Sequence, residues 1–82
     1  MRIRQQSLGD RNIIGKRVEQ RRKAIKLKQK ELLDQLKVRG VDLNSSGLSK
    51  LEGQLRRVTD YELVAIADAL GVSVNWLLGI DD

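Results

Sequence analysis

Residues 44–52 read NSSGLSKLE and carry two opposing signals. Asn44, Ser45, Ser46 and Gly47 are turn formers, because short polar side chains bond their own backbone and glycine tolerates positive φ. Yet Leu48, Leu51 and Glu52 follow at helical spacing,. One reading satisfies both: a helix capped by Asn44, with Leu43 packing on Leu48 as a hydrophobic staple and a first turn of small polar groups. Such a helix leaves its N-terminal N–H groups and short hydroxyls free to meet a partner.

Outward from this stretch, apolar spacing and end signals predict four more helices and no strand, so the expected fold class is all-α, a compact five-helix domain. A first helix over residues 12–25 follows from Ile14, Val18 and Ile25, with Asn12 capping its first turn and basic residues on its other faces,. A second, over residues 28–38, turns Leu32, Leu33 and Leu36 inward and stops before Gly40, with Val41 and Leu43 anchoring the connection,. The helix of the opening stretch is third. The fourth starts at TDYE, where Thr59 and Glu62 suit a capping box and Val58 a staple to Leu63, and it runs to Leu70 before Gly71,. The fifth lies in VSVNWLLG, with Ser73 as N-cap, Val72 stapled to Leu77 and Gly79 as terminator. Residues 1–11 are expected to form a flexible arm and residues 12–82 the folded domain.

Eighty-two residues make a small domain that buries about 60–65% of its unfolded surface, which leaves little room for an active-site cavity. The chain has no His and no Cys, so imidazole catalysis, disulfides and the usual zinc sites lose their principal residue types. Neither enzymatic activity nor a metal or cofactor is expected. No apolar run approaches the roughly 20 residues that span a bilayer, and MRIRQQSLGDR offers no apolar core for export. A cytoplasmic protein without membrane contact is the expectation.

Charge is uneven along the chain. Residues 1–57 hold all 16 bases and six acids, a net +10, while residues 58–82 hold five acids and no base, a net −5. A dipolar chain of this kind suggests an anionic polymer on one side and a different contact on the other.

Two helices joined by a turn, the second opening with small polar residues, is the layout of a helix-turn-helix that reads duplex DNA. The major groove admits one helix, and base edges meet the residues of its first two turns, where bulky aliphatic side chains would block hydrogen bonding. Ser45, Ser46, Ser49 and Lys50 stay polar there while Leu48 and Leu51 face inward. Serine donates to or accepts from several bases and lysine reaches guanine acceptors, so these four are candidate base contacts with a degenerate code.

Over about residues 13–79, the order IGKRVEQRRKAIKLKQKELL, SGLSKLE, RRVTDYELVAIADALGVSVNWLL resembles the lambda-repressor-like (Xre-type) helix-turn-helix regulators. The resemblance implies that Gln29, opening the second helix, grips phosphate, that Ser45, Ser46 and Lys50 read bases, and that Arg56 and Arg57 contact phosphate from the following loop. Lys28, Asn44 and Gln54 complete the expected phosphate set. It also pairs Glu52 with Arg22 in a structural ion pair, in keeping with the repulsion a carboxylate would meet among phosphates. Three places depart from the family pattern: Lys28 stands where Thr or Ser is usual, KVRGVDL is longer than the usual turn, and Gly53 and Gln54 follow Glu52 where Asn-Gly or Arg-Gly is customary. The end of the third helix is therefore expected to be shifted or reshaped.

The expected function is that of a sequence-specific, double-stranded-DNA-binding transcriptional regulator, a repressor acting by operator occupancy. A single copy reads about half a turn of duplex, and the resemblance implies a two-fold homodimer on an inverted repeat. Val74, Leu78 and Ile80 supply apolar surface for that dimer, and Trp76 is expected in the core, with Tyr61 partly exposed. Other readings are an antitoxin that also binds a toxin, a protein-interaction adaptor on the same scaffold, and a basic module for RNA or anionic membranes. One Trp, one Tyr and no Phe weigh against single-stranded RNA, and the first helix has too few bulky apolar residues for a membrane surface.

Overall fold

Helix ends set the architecture. In the computed structural model, which describes residues 7–80, the described residues form five helices and no strand: α1 (Gly15–Ala24), α2 (Gln29–Val38), α3 (Ser45–Glu52), α4 (Asp60–Leu70) and α5 (Val74–Leu78). Three start on side-chain caps: Asn44 Oδ1 accepts from Gly47 N at 2.7 Å, Thr59 Oγ1 from Glu62 N at 3.2 Å, and Ser73 Oγ from Trp76 N at 2.9 Å. Thr59 N donates to Glu62 Oε1 in return, closing the capping box,. All five helices stop the same way. A residue turns left-handed, namely Lys26, Gly40, Gln54, Gly71 or Gly79, and the next N–H reaches back five residues, as Leu27 to Arg22 O and Leu55 to Lys50 O do,. Lys26 and Gln54 adopt this posture with a Cβ present, at about 1–2 kcal/mol each.

α3 packs across α1 and α2, and α4 packs on α1, α2 and α5. Ile14, Val18, Leu32, Leu36, Leu48, Leu51, Ile66, Leu70 and Leu77 form the heart of the core, and the staple residues Leu43, Val58 and Val72 pack against it half-buried. α1 differs from expectation at both ends. It starts at Gly15, after Asn12 Oδ1 has accepted from Ile14 N and Gly15 N at 3.1 and 2.8 Å. It ends at Ala24, so Ile25 falls off the helical register and is 39% exposed, and Arg22 takes the inward position one turn after Val18. Trp76 is half-buried against the core with the Arg17 guanidinium 4.9 Å above its ring, whereas Tyr61 is 84% exposed,.

The expected arm, residues 1–11, lies outside the described residues over 1–6. Its last part is tied down: Gly9 N donates to Gly53 O at 2.8 Å and Arg11 N to Gln54 O at 3.0 Å. The longer α2–α3 connection is also held, by Val41 N donating to Leu36 O, by burial of Val41, and by Arg39 Nε donating to Asp68 Oδ2 at 2.6 Å. Among the described residues no helix is long and apolar enough to cross a membrane.

Gly15 sits where α1 touches the end of α3. A Cβ there would lie 2.2 Å from Leu51 O and 2.7 Å from Glu52 O. Both obstacles are backbone, so the helices would have to separate. Gly15→Ala is expected to destabilise the fold by about 1–3 kcal/mol. An unchanged denaturation midpoint would rule out the close approach.

Candidate nucleic-acid interface

α3 divides cleanly into two faces. Leu48, Leu51 and Glu52 are buried, while Ser45, Ser46, Ser49 and Lys50 are exposed. The inward face is anchored by charge as well as by leucine. Arg22 Nε donates to Glu52 Oε2 at 2.7 Å and Nη2 to Oε1 at 3.1 Å, and Nη1 donates to Leu27 O at 3.0 Å. Glu52 is 1% exposed and Arg22 8%. This is a two-pronged pair in which the geometry of the guanidinium matches that of the carboxylate. The far end of α3 is held by Asn12, whose Nδ2 donates to Leu51 O and Arg56 O at 3.1 and 2.8 Å.

The remaining outward candidates lie at the start of α3, before α2 and in the loop before α4. Asn44 caps it through Oδ1 and is exposed, and Lys28 stands exposed immediately before α2. Lysine has no acceptor atom, so only half of a capping box forms at α2, with Lys28 N donating to Glu31 Oε1 at 2.8 Å. The Lys28 ammonium is left to solvent. Arg57 is exposed in the loop before α4.

Three other candidates have partners inside the fold. Gln29 Nε2 donates to Glu52 Oε1 at 3.0 Å and approaches Ser49 Oγ at 3.4 Å. Gln54 accepts from Lys16 N through Oε1 and donates to Gly9 O through Nε2, both at 3.1 Å. Arg56 pairs with Glu62 at 3.2 Å, and its Nη1 is buried with no partner among the described residues. Of the expected dimer residues, Val74 and Leu78 are half-buried against the core and Ile80 is 56% exposed.

Arg11 is absent from the candidates read in the sequence, yet it lines a shallow pocket of about 250 Å³ together with Arg57, Ile13 and Leu78. It belongs to the segment read as an arm, and nothing local announces its backbone bond to Gln54. A larger cavity of about 760 Å³ lies between the α2–α3 connection and α4. None of the candidate contact residues lines it. No family model, curated protein or solved structure matches this chain.

Removing one member of the Arg22–Glu52 pair strands the other charge in the core, so Glu52→Ala and Arg22→Ala are each expected to cost about 3–5 kcal/mol. The double variant should lose less than the sum. Additive losses in a denaturant double-mutant cycle would show that the pair is not coupled.

Proposed function

We propose that α2 and α3 form a helix-turn-helix of the lambda-repressor-like (Xre-type) kind and that the chain is a sequence-specific double-stranded-DNA-binding regulator, a repressor that acts by occupying its operator. The observation that carries this reading is the division of α3. Four small or basic polar side chains face solvent on a helix whose opposite side is locked by Leu48, Leu51 and a buried ion pair. A rigid helix with hydrogen-bonding groups on its first two turns suits the width and base edges of the major groove.

Base reading falls to Ser45, Ser46, Ser49 and Lys50. Phosphate contact falls to Lys28, Asn44 and Arg57, which are exposed. Gln29 is assigned differently from the family pattern: phosphate offers only acceptors, and both amide N–H groups of Gln29 already face Glu52 and Ser49. Arg56 and Gln54 are assigned to the fold, since each is held by internal partners. Two copies on an inverted repeat would meet through Ile80 and the exposed part of Leu78, while Val74 serves mainly the monomer core. A second reading, a protein partner such as an antitoxin or adaptor would have, is favoured by the α4 face where Tyr61 and Val64, 84% and 60% exposed, line the larger cavity.

Selection from a random duplex library is expected to return a consensus with two-fold symmetry. Ser46→Ala and Lys50→Ala should each cost about 1–3 kcal/mol on that site and relax preference at particular base pairs. Lys28→Ala and Arg57→Ala should weaken all duplexes alike and reduce the salt slope by about one charge. Arg56→Ala should lower stability and leave the slope unchanged. If Lys50→Ala instead weakens preferred and scrambled duplexes equally and lowers the slope, Lys50 holds phosphate and α3 does not read in this pose. A single chain per palindromic duplex in sedimentation would overturn the dimer.

A further inference from the structure

We infer that Gln29 fixes the polarity of Ser49, so that Ser49 meets DNA as a hydrogen-bond donor and selects an acceptor on a base edge: purine N7, guanine O6 or thymine O4. The inference rests on the proposed DNA-reading role of α3 and specifies what one of its residues recognises.

The polarity originates in the buried pair. The Glu52 carboxylate offers only acceptors, and it takes two N–H groups from Arg22. Its Oε1 also lies 3.0 Å from the Gln29 amide. That side of the amide must be the NH₂, because the reverse orientation would set one acceptor against another. Once one N–H of Gln29 is directed at Glu52, the other is directed at Ser49 Oγ, 3.4 Å away on the exposed side.

A serine hydroxyl has one proton and two lone pairs. One lone pair of Ser49 is turned to Gln29, and its proton is bonded to no group among the described residues. Ser49 is exposed on the same face as Ser45, Ser46 and Lys50. An acceptor on a base edge takes up that proton. An exocyclic amine, on adenine N6 or cytosine N4, would leave the proton unpaired in a contact from which water has been expelled, and unmade hydrogen bonds there are costly. The order Arg22, Glu52, Gln29, Ser49 thus passes a fixed donor and acceptor direction from the core to the surface, each bond polarising the next. Gln29 is a positioning residue in this arrangement; Ser49 makes the contact.

The test uses the full chain and its selected duplex, with base analogues that each delete one atom's function. Acceptors are removed with 7-deazaguanine, 7-deazaadenine, 2-aminopurine in place of guanine, and 5-methyl-2-pyrimidinone in place of thymine. Donors are removed with purine in place of adenine and 2-pyrimidinone in place of cytosine. At one position of each half-site, deleting an acceptor should weaken the unsubstituted protein roughly three- to tenfold. Ser49→Ala should lose as much on the natural duplex and nothing further on that analogue. Gln29→Met keeps the length without the N–H groups, and it should lower discrimination at that same position while changing affinity for scrambled DNA little. Ser49→Ala, at an exposed position, carries the test alone if Gln29→Met does not fold. Coupling of Ser49 to a donor deletion, or sequence-selective binding with no coupling at any position, overturns this inference and leaves the DNA-reading proposal standing. Absence of duplex binding by the unsubstituted protein overturns that proposal and this inference with it.

Discussion

The Arg22–Glu52 pair is the constraint on which the placement of α3 depends. It joins α1 to α3 through two charge-assisted bonds, and the third nitrogen of Arg22 closes on Leu27 O in the link to α2. Two ions withdrawn from water repay their desolvation only with good geometry and further hydrogen bonds. Glu52 has three donors around it, from Arg22 and Gln29. Leucines in these places could hold the helices together equally well, but they would tolerate rotation of α3 about its own axis. A two-pronged pair does not, since a turn of the helix moves the carboxylate out of the plane of the guanidinium.

Position along the axis is set separately. Gly15 admits the last carbonyls of α3 to the start of α1, and Asn12 binds Leu51 O from the same side. Gln54 then bridges the end of α3 to Lys16 N and Gly9 O, which fits the left-handed backbone it adopts in the turn. A glycine at that position would relieve the strain and lose both bridges. The strained glutamine is therefore intelligible as a junction between α1, α3 and the chain that leads into α1.

What could be read from the sequence was what short-range physics decides. Asn44, Thr59 and Ser73 cap their helices because a side-chain oxygen reaches an N–H three residues on, and that relation is visible in the residue string. The buried faces of α2 and α3 followed from the spacing of leucine. Ile25 misled because spacing does not reveal that α1 stops one residue earlier, and the inward Arg22 became an expectation only through the family resemblance. Gln29, Gln54 and Arg11 owe their placement to partners 20, 38 and 43 positions away in the chain. No local pattern distinguishes an amide turned to phosphate from one turned to a buried carboxylate. The all-helical fold and the two faces of α3 were thus legible, and the partition of the polar residues between surface and scaffold was not.

If α3 reads DNA as proposed, that partition decides which of its residues could change what it reads. Ser45, Ser46 and Lys50 are exposed, with no side-chain bond to the core, so they can be exchanged with little effect on the fold, as surface positions usually can. Ser49 is different. It lies three residues before Glu52 on the same helix, and Gln29 spans the gap between the two side chains. A change at Gln29 alters both the hydrogen bonding of a buried carboxylate and the presentation of an exposed hydroxyl. On the proposed DNA-reading role, specificity at Ser49 is bound to stability through one amide, while at its three neighbours the two properties are free to vary apart.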